Sequence, residues 1–289
     1  MGAETFDIAA LQRKSIETRL ATLNLVDVAG SGHYGPAFSI VEILVALYYG
    51  YLRVRPAEPD WPARDRVVLS KGHAVSALYP VLADLGFFDA DVLRTFTRLG
   101  SALGDHPDMK KVPGIDFSSG SLGHGLSIAV GMAEALRHQG HDSRVVAIMG
   151  DGELDEGQLW EAATYAAHRR VGGLLGIVDA NRVSVDGATR DVLNVEPIER
   201  KWEAFGWRVE RVDGHDFEAL RAAFTRYDDH RAQRGTPPTA VVADTVVGRG
   251  VAFIEGMAEW HVGYLHGLDR ERAERSIRDM FTGEGAPSR

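Results

Sequence analysis

Two side chains that carry hard oxygen ligands follow successive apolar stretches, at Asp151 and Asn181. The apolar run 145–149 predicts a buried strand that ends just before Asp151, and the run 174–178 predicts the next strand, before Asn181. Ligands of an open α/β sheet bind outside the carboxyl ends of its strands, so the Asp151 carboxylate and the Asn181 amide are expected at one edge. Magnesium takes few protein oxygens and completes its coordination with water and phosphate, so this pair predicts a magnesium–diphosphate site.

An aspartate in a turn between a strand and a helix can also be a simple helix cap, and a lone Asp151 would favour that explanation. Here Gly150 and Gly152 allow the backbone to approach a bulky anion, and the helix predicted over 158–168 directs its positive end to the same place. The second oxygen ligand, at the end of the next strand, favours the metal–diphosphate interpretation.

The composition of the 289-residue chain limits its classes of partner. Hydrophobic residues make up 45% and charged residues 25%, which is ordinary for a globular protein with a sizeable core. The formal net charge of −9 argues against nucleic acid or an anionic membrane as a partner. The absence of cysteine excludes disulfides and thiolate metal sites, and no apolar run of about 18 residues or signal-peptide pattern occurs. We therefore expect a soluble cytoplasmic protein.

The alternation of predicted strands and helices indicates an α/β fold, a doubly wound, mostly parallel sheet with helices on both faces. Strands are predicted over 67–69, 145–149, 174–178, 207–212 and 239–245, and helices over 8–28, 40–47, 74–85, 126–138, 158–168, 197–205 and 217–234. A long loop rich in Gly, Pro and Ser, 104–125, is expected to be functional. Residues 1–282 are expected to form one domain, with 283–289 as a flexible tail.

Four of the eleven histidines, His33, His73, His106 and His261, lie in loops that contain glycine or proline. Such loops are well placed to contact a ligand, and imidazole can donate hydrogen bonds and transfer protons near neutral pH. The histidines on predicted helices are better explained by solvation or capping. A single loop histidine would be weak evidence of function. Four of them beside the two predicted metal ligands Asp151 and Asn181, here called the metal pair, favour a catalytic site.

These segments resemble the motifs of transketolases, which belong to the superfamily of thiamine-diphosphate enzymes. The superfamily motif, Gly-Asp-Gly followed later by Asn, matches 150–152 and Asn181, and Glu-Leu-Asp-Glu-Gly at 153–157 resembles the transketolase branch. Other segments resemble transketolase motifs in transketolase order: Ser31-Gly32-His33, Leu69-Ser70-Lys71-Gly72-His73, Gly120-Ser121-Leu122-Gly123-His124-Gly125, Val247-Gly248-Arg249-Gly250 and Trp260-His261. The resemblance covers nearly the whole chain.

The resemblance implies thiamine diphosphate and Mg²⁺ as cofactors, and Mn²⁺ or Ca²⁺ could replace the magnesium. It implies a metal site formed by Asp151, Asn181 and the backbone carbonyl of Val183. The contacts that it implies for the cofactor are His73, Gly120, Ser121, Leu122, Gly152, Asn181 and His261.

The reaction implied is the transfer of a two-carbon ketol unit from a ketose or its phosphate to an aldose or its phosphate. The resemblance implies that His33, His106 and His261 line the sugar-binding channel. The candidate catalytic residues are His33, His261 and Glu156, of which Glu156 resembles the acid that links the paired active sites of the family.

Several positions depart from the full-length transketolase pattern: Tyr34-Gly35-Pro36-Ala37 replaces Pro-Gly-Ala-Pro, Ala180 replaces Asn, and Ser121 and His124 replace Pro and Gln. These variants resemble the N-terminal, diphosphate-binding subunit of split, two-gene transketolases, and they leave the sugar acceptor open. In such enzymes a separate C-terminal, pyrimidine-binding subunit carries the glutamate that activates the cofactor. The residues after His261 are too few for another domain of about 100–150 residues, so we expect activity only in an α2β2 heterotetramer with this partner.

Three other interpretations are weaker. Gly30 to Gly35 match the Gly-x-Gly-x-x-Gly dinucleotide fingerprint, but the motif follows a predicted helix instead of a strand, and Tyr51-Leu52-Arg53 occupies the place of the expected acid. A second alternative is another thiamine-diphosphate subunit, of the 2-oxo-acid dehydrogenase or deoxyxylulose-phosphate-synthase type. A third is a non-catalytic assembly subunit that keeps the fold, although loss of the metal pair or the loop histidines would then be expected.

Overall fold

The computed structural model describes residues 6–233 and 235–281. The strands in this part of the chain are β1 (Arg66–Leu69), β2 (Val145–Gly150), β3 (Leu174–Ala180), β4 (Val183–Ser184), β5 (Gly187–Ala188), β6 (Arg208–Asp213) and β7 (Thr239–Asp244). Five of them form one sheet in the order β1-β2-β3-β7-β6, in which every neighbouring pair is parallel. The strands β4 and β5 form a separate antiparallel hairpin directly after β3. The predicted α/β class is therefore confirmed, and the main sheet is wholly parallel.

The helices pack around this sheet. They are α1 (Ile8–Ala29), α2 (Tyr34–Ser39), α3 (Val41–Ala46), α4 (Val75–Leu85), α5 (His124–His138), α6 (Gly157–His168), α7 (Thr189–Val192), α8 (Ile198–Ala204), α9 (Phe217–Arg231) and α10 (Gly267–Arg278). None of those in the described ranges has both the length and the apolar character that a membrane span requires.

The two faces of the sheet bury different side chains, as a parallel sheet covered on both sides must. On β2, Val146 and Ile148 pack with the apolar side chains of α1, α3, α4 and α9. The intervening residues Val145, Ala147 and Met149 pack on the other face with those of α5, α6 and α8. This alternation confirms the prediction of helices on both faces, and it leaves the carboxyl edge of the sheet to the connecting loops.

The predicted elements are found close to their expected bounds, with small corrections. The helix predicted over 40–47 is shorter, because α3 ends at Ala46 and the chain continues in a π-helical turn, Leu47–Tyr51. The helix predicted over 217–234 ends at Arg231. Residue 282 and the predicted tail, 283–289, lie outside the described residues.

Three helices, α2, α7 and α10, have no counterpart in the prediction, and α7 has only four residues. The sequence of α2 contains Gly35 and Pro36, which suggested a loop, yet all six of its residues are buried and tertiary packing stabilises the helix. The sequence of α10 is dominated by charged residues, and in that helix Ala273 and Ile277 are the buried ones, so its apolar pattern is too sparse to recognise.

The segment from Gly30 to Gly35 shows why the dinucleotide interpretation is wrong. It follows α1, which begins at the N-cap Asp7 and ends at Gly30 in the left-handed conformation (φ +70°). Its last two residues, Tyr34 and Gly35, open α2, and a helix precedes the glycines where the dinucleotide motif requires a strand. The segment instead presents His33 at the start of α2.

Candidate active site

The predicted metal ligands lie at the ends of two adjacent parallel strands. Asp151 follows β2, and Asn181 follows β3. One oxygen of Asp151, Oδ1, accepts a hydrogen bond of 2.9 Å from the backbone N–H of Gly152, and Oδ2 accepts one of 2.6 Å from the N–H of Arg182. The amide oxygen of Asn181 accepts a hydrogen bond of 2.9 Å from the N–H of Val183. The structure therefore brings Asp151 together with the segment that contains Asn181 and Val183.

The environment of this pair suits a divalent cation. Asp151 is only 2% exposed. Its burial, together with the nearby Asp179 carboxylate, raises the pKa of Asp151 to about 7. A bound cation would compensate this buried charge. No group of three His, Cys, Asp or Glu side chains gathers for a metal in residues 6–233 and 235–281, so amide, carbonyl and phosphate oxygens would have to complete the coordination. Such a donor set fits magnesium.

Behind the metal pair lies a buried ion pair that the sequence analysis missed. The ammonium of Lys71 contacts the carboxylate of Asp179, and these residues are 1% and 0% exposed. The same carboxylate accepts hydrogen bonds from the Oγ of Ser39 (2.7 Å), the Nδ2 of Asn181 (2.8 Å) and the hydroxyl of Thr245. Burial alone would raise the pKa of Asp179, but Lys71 and these donors hold it below its ordinary value. Lys71 occurs in the quoted motif 69–73, but Asp179 lies in the mostly apolar stretch of β3, and nothing in the sequence links the two residues.

A second buried acid, Glu153, organises the loops around Asp151. Its Oε1 accepts hydrogen bonds from the N–H of Gly123 (2.8 Å) and the hydroxyl of Ser70, and its Oε2 accepts one from the N–H of Gly150 (3.1 Å). Burial raises the pKa of Glu153 above its ordinary value, although all three donors favour the ionised form. Glu153 stands in the motif 153–157, but the sequence did not indicate its hydrogen-bond partners, because they belong to three different segments.

The four loop histidines converge. The ring centroid of His33 lies 5.3 Å from that of His73, 5.9 Å from that of His261 and 6.3 Å from that of His106. The rings of His73 and His261 are 5.3 Å apart. These residues come from four separate segments of the sequence, and the fold brings them together.

The chemical state of two of these histidines follows from their surroundings. Burial, together with the charges of Lys71 and the other three histidines, lowers the pKa of His73 to about 2. Burial and Lys71 also lower the pKa of His261, to about 4. Both imidazoles are therefore neutral near pH 7 and can each donate one hydrogen bond and accept another.

Two imidazole nitrogens in this cluster are buried and lack a hydrogen bond: the Nδ1 of His33 and the Nδ1 of His261. The nearest acid to the first is Asp105, whose Oδ2 lies 3.5 Å away without hydrogen-bond geometry. Buried polar atoms are normally satisfied, so unsatisfied ones at a cleft indicate a missing ligand or water. The histidine cluster is thus suited to a polar ligand.

Close backbone packing holds the histidine loops together. Gly32 and Gly263 exchange two backbone hydrogen bonds, of 3.0 and 2.9 Å, which join the loop of His33 to that of His261. A Cβ atom on Gly35 would lie 3.0 Å from the carbonyl oxygen of Trp260, so a larger residue would push these loops apart. Glycine at this position therefore permits the approach of the two histidines.

The remaining predicted cofactor contacts flank the same region. Gly120 and Ser121 are exposed, Leu122 is partly buried, and a Cβ atom on Gly120 would lie 3.6 Å from the His106 ring. Gly152 opens a short 3-10 turn (Gly152–Asp155) directly after Asp151. These positions are accessible to a ligand that reaches from the metal pair to the histidines.

The predicted linking acid, Glu156, is exposed at the start of α6. It packs against Gly123, which adopts φ +82°, and a Cβ atom on Gly123 would lie only 2.6 Å from the Cβ of Glu156. The positive φ and this close contact both require glycine at position 123. Glu156 is thereby held beside Gly123, at an exposed position.

Comparison with known proteins identifies the family. The family model described as "Transketolase, thiamine diphosphate binding domain" matches residues 11–277. This chain belongs to the transketolase family. The match confirms the predicted family, its diphosphate-binding fold and the transketolase class of enzyme, and thiamine diphosphate is the cofactor bound by this domain of transketolases.

Two similar proteins match this chain over most of their own length. The 6-deoxy-6-sulfo-D-fructose transketolase subunit of Clostridium sp. (strain MSTE9) is 42% identical over 251 residues, which are 87% of this chain and 90% of that protein. One subunit of the apulose-4-phosphate transketolase of Phocaeicola vulgatus is 36% identical over 274 residues, 95% of this chain and 96% of that protein. Both relatives are named as subunits.

Longer transketolases match over a part of their length. The crystal structure of the transketolase from Campylobacter jejuni superimposes with a TM-score of 0.88 at 29% identity, covering 94% of this chain and 43% of that one. The transketolase of Homo sapiens is 34% identical over 95% of this chain and 42% of its own length. The chain thus spans about two fifths of the length of these longer relatives.

Proposed function

We propose that this chain is the diphosphate-binding subunit of a transketolase that transfers a two-carbon ketol unit from a ketose to an aldose. The observation that carries the proposal is the convergence of four loop histidines beside the strand ends that bear Asp151 and Asn181. The ring centroid of His33 lies 5.3 to 6.3 Å from those of the other three. A metal–diphosphate site and a cluster of proton-transfer groups at one sheet edge are the two parts that this chemistry requires.

In this proposal Asp151, Asn181 and the Val183 carbonyl would hold Mg²⁺, which would supply positive charge to the diphosphate of the cofactor. The backbone of 120–122 and Gly152, the rings of His73 and His261, and Asn181 contact the cofactor itself. Thiamine diphosphate, when bound, supplies the electron sink for breaking and forming the carbon–carbon bond. The protein contributes a site that orients the reactants and excludes water.

The histidines would act on the oxygens of the sugar. His261 is neutral near pH 7, and its Nδ1 is buried without a partner, so it can exchange a hydrogen bond with a substrate hydroxyl. His33 has an unpartnered Nδ1 in the same cluster, and His106 is exposed at its rim. We assign His33 and His261 to proton transfer, and all three to the binding of sugar hydroxyls.

A separate pyrimidine-binding subunit would complete the site and supply the glutamate that activates the cofactor. Support comes from the two relatives that are named as subunits, which this chain matches over 90% and 96% of their own length. The exposure of Gly120, Ser121 and Glu156 is consistent with a partner that covers this edge. We propose an α2β2 assembly, in which Glu156 links two active sites, acting in the cytoplasm.

The substrate class follows from the same relatives. Their names specify 6-deoxy-6-sulfo-D-fructose and apulose-4-phosphate, which are sugars with an anionic group. We propose that this enzyme also takes a sugar that carries a terminal anion, and a panel of sugar phosphates and sulfonated sugars would identify it.

Cofactor binding tests this proposal first. Thiamine diphosphate with Mg²⁺ should raise the melting temperature of the chain or its complex, whereas NAD should not, because a ligand that binds the folded state alone stabilises it. Omission of Mg²⁺ should remove most of the shift. A shift with NAD, or none with thiamine diphosphate even in the presence of the partner subunit, would contradict the proposal.

A further inference from the structure

The buried Lys71–Asp179 ion pair is tied to the metal pair by one side chain, that of Asn181. Asp179 is fully buried at the end of β3, two residues before Asn181, and its Oδ2 accepts the hydrogen bond of 2.8 Å from the Asn181 Nδ2. Lys71 reaches the same carboxylate from the turn after β1, and the Oγ of Ser39 donates to it from α2. Three separate elements therefore converge on Asp179.

The Lys71–Asp179 ion pair determines which atom of the Asn181 amide would face the metal. The Asp179 carboxylate accepts from the Lys71 ammonium and the hydroxyls of Ser39 and Thr245, and the amide of Asn181 likewise directs its NH₂ group towards it. Its oxygen must then face the other way, where it accepts the hydrogen bond of 2.9 Å from the Val183 N–H in the segment that also contacts Asp151. A neutral partner at position 179 could donate as well as accept, and the amide would lose this constraint.

We propose that Asp179, which contacts the ammonium of Lys71 and accepts the hydrogen bond from the Asn181 Nδ2, is a positioning residue that keeps the amide oxygen of Asn181 directed at the metal. The inference rests on the proposed function, because it concerns the same metal site. Removing two charged groups from water costs free energy, and this role explains why Lys71 and Asp179 are buried here. Groups that orient a metal ligand in this way commonly affect metal affinity by about 10- to 100-fold.

A purely structural role of the Lys71–Asp179 pair predicts a different result, and a second buried ion pair in the chain serves as a matched control. Arg64 and Asp116 form another buried ion pair, with hydrogen bonds of 3.1 and 2.6 Å, and each residue is 8% exposed. Asp116 also accepts a hydrogen bond of 2.8 Å from the N–H of Val67 in β1. Asp116→Asn should therefore reduce stability in the same manner as Asp179→Asn without acting on the metal.

The experiment titrates Mn²⁺ into the full chain, with saturating thiamine diphosphate and with the partner subunit where cofactor binding requires it, and follows free Mn²⁺ by electron paramagnetic resonance. Asp179→Asn and Lys71→Met should each weaken Mn²⁺ binding by about 10-fold or more. Asp116→Asn should leave the affinity within about twofold of the parent. Ser39→Ala removes one donor to Asp179 and should give a smaller loss in the same direction, which keeps the test decisive if the charged pair cannot be changed without unfolding.

The Asn181→Asp background separates positioning from simple attraction between charges. A carboxylate presents an oxygen whichever way it turns, so Asp179→Asn in this background should not weaken Mn²⁺ binding, and relief of repulsion between the two acids should favour it. If Asp179 acted only through its negative charge, the same substitution would weaken binding in both backgrounds.

Each outcome decides the inference. Loss of affinity in the parent background alone supports it. Unchanged affinity in Asp179→Asn and Lys71→Met, or equal losses in both backgrounds, would overturn it while leaving the proposed function intact. Failure of the parent chain to bind Mn²⁺ with thiamine diphosphate would instead overturn the proposed function, and the inference with it.

Discussion

Glu153 and Gly123 are joined by a hydrogen bond of 2.8 Å, which the backbone N–H of Gly123 donates to the Oε1 of Glu153. The same carboxylate accepts hydrogen bonds from the N–H of Gly150 and the hydroxyl of Ser70. One buried side chain thus connects the ends of β1 and β2 with the loop that precedes α5. These are the loops that we assign to cofactor binding.

We expect Glu153→Gln to destabilise the fold by about 1–3 kcal/mol, because its NH₂ group would face a buried N–H that then has no acceptor. Urea denaturation measures this change in the free energy of unfolding. Asp155 is an exposed acid in the same turn, and Asp155→Asn should change stability by no more than about 0.5 kcal/mol. Equal stabilities of the two variants would show that the Glu153 carboxylate does not hold these loops.

Asp151→Ala should abolish magnesium-dependent binding of thiamine diphosphate and leave the fold intact, because the side chain lies at a strand end and contributes little to the apolar core. Calorimetry of cofactor binding in the presence of Mg²⁺ gives the affinity, and circular dichroism checks the fold. The control Asp155→Ala, four residues further along the same segment, should bind the cofactor like the parent. A folded Asp151→Ala variant with normal affinity would remove this residue from the metal site.

His33→Ala and His261→Ala should each lower turnover by about 10²-fold or more, as expected for the loss of a proton-transfer group. The affinity for thiamine diphosphate should fall much less in His33→Ala, because only His261 is assigned a contact with the cofactor. Steady-state kinetics of the complete enzyme provide the turnover, with His138→Ala, an exposed helix-end histidine, as the control. Normal turnover in both variants would mean that the two histidines are structural.

The stability of the chain should fall as the pH falls below 6.5, in part because of His73. Burial, Lys71 and the neighbouring histidines lower its folded-state pKa from 6.5 to about 2, so acid protonates His73 in the unfolded chain first. One such group contributes at most about 1.4 kcal/mol per pH unit to this loss. Unfolding free energies of the parent and His73→Gln, measured between about pH 7.5 and 5, should converge on acidification. Parallel curves would contradict the buried, neutral state of His73.

The parallel sheet and its two adjacent strand ends could be predicted because their signals are local. Runs such as 145–149 are apolar throughout, which indicates a strand buried on both faces, and the residue after the run is then placed by topology alone. The histidines were found for a related reason: glycine or proline within two positions of each of them indicated a loop. Local composition thus predicted where these side chains lie, but not their mutual distances.

The buried polar networks could not be predicted, since their members are far apart in the sequence. Glu42 accepts hydrogen bonds from Arg19 (2.6 and 2.7 Å) and lies 2.8 Å from the His215 Nδ1, although 173 positions separate Glu42 from His215. Lys71 and Asp179 are separated by 108 positions. A charged residue in a sequence is more often exposed than buried, so only the folded arrangement identifies its partner.

The most direct test of the account is a ketol-transfer assay with this chain, thiamine diphosphate and Mg²⁺, performed with and without the separate pyrimidine-binding subunit. Donors in the assay would include sugar phosphates and sulfonated ketoses, and an aldose phosphate would serve as acceptor. We predict no transfer by the chain alone and transfer on mixing, with activity that saturates at equal amounts of the two chains. Ketol transfer by the isolated chain, or none by the reconstituted pair that binds the cofactor, would contradict the account.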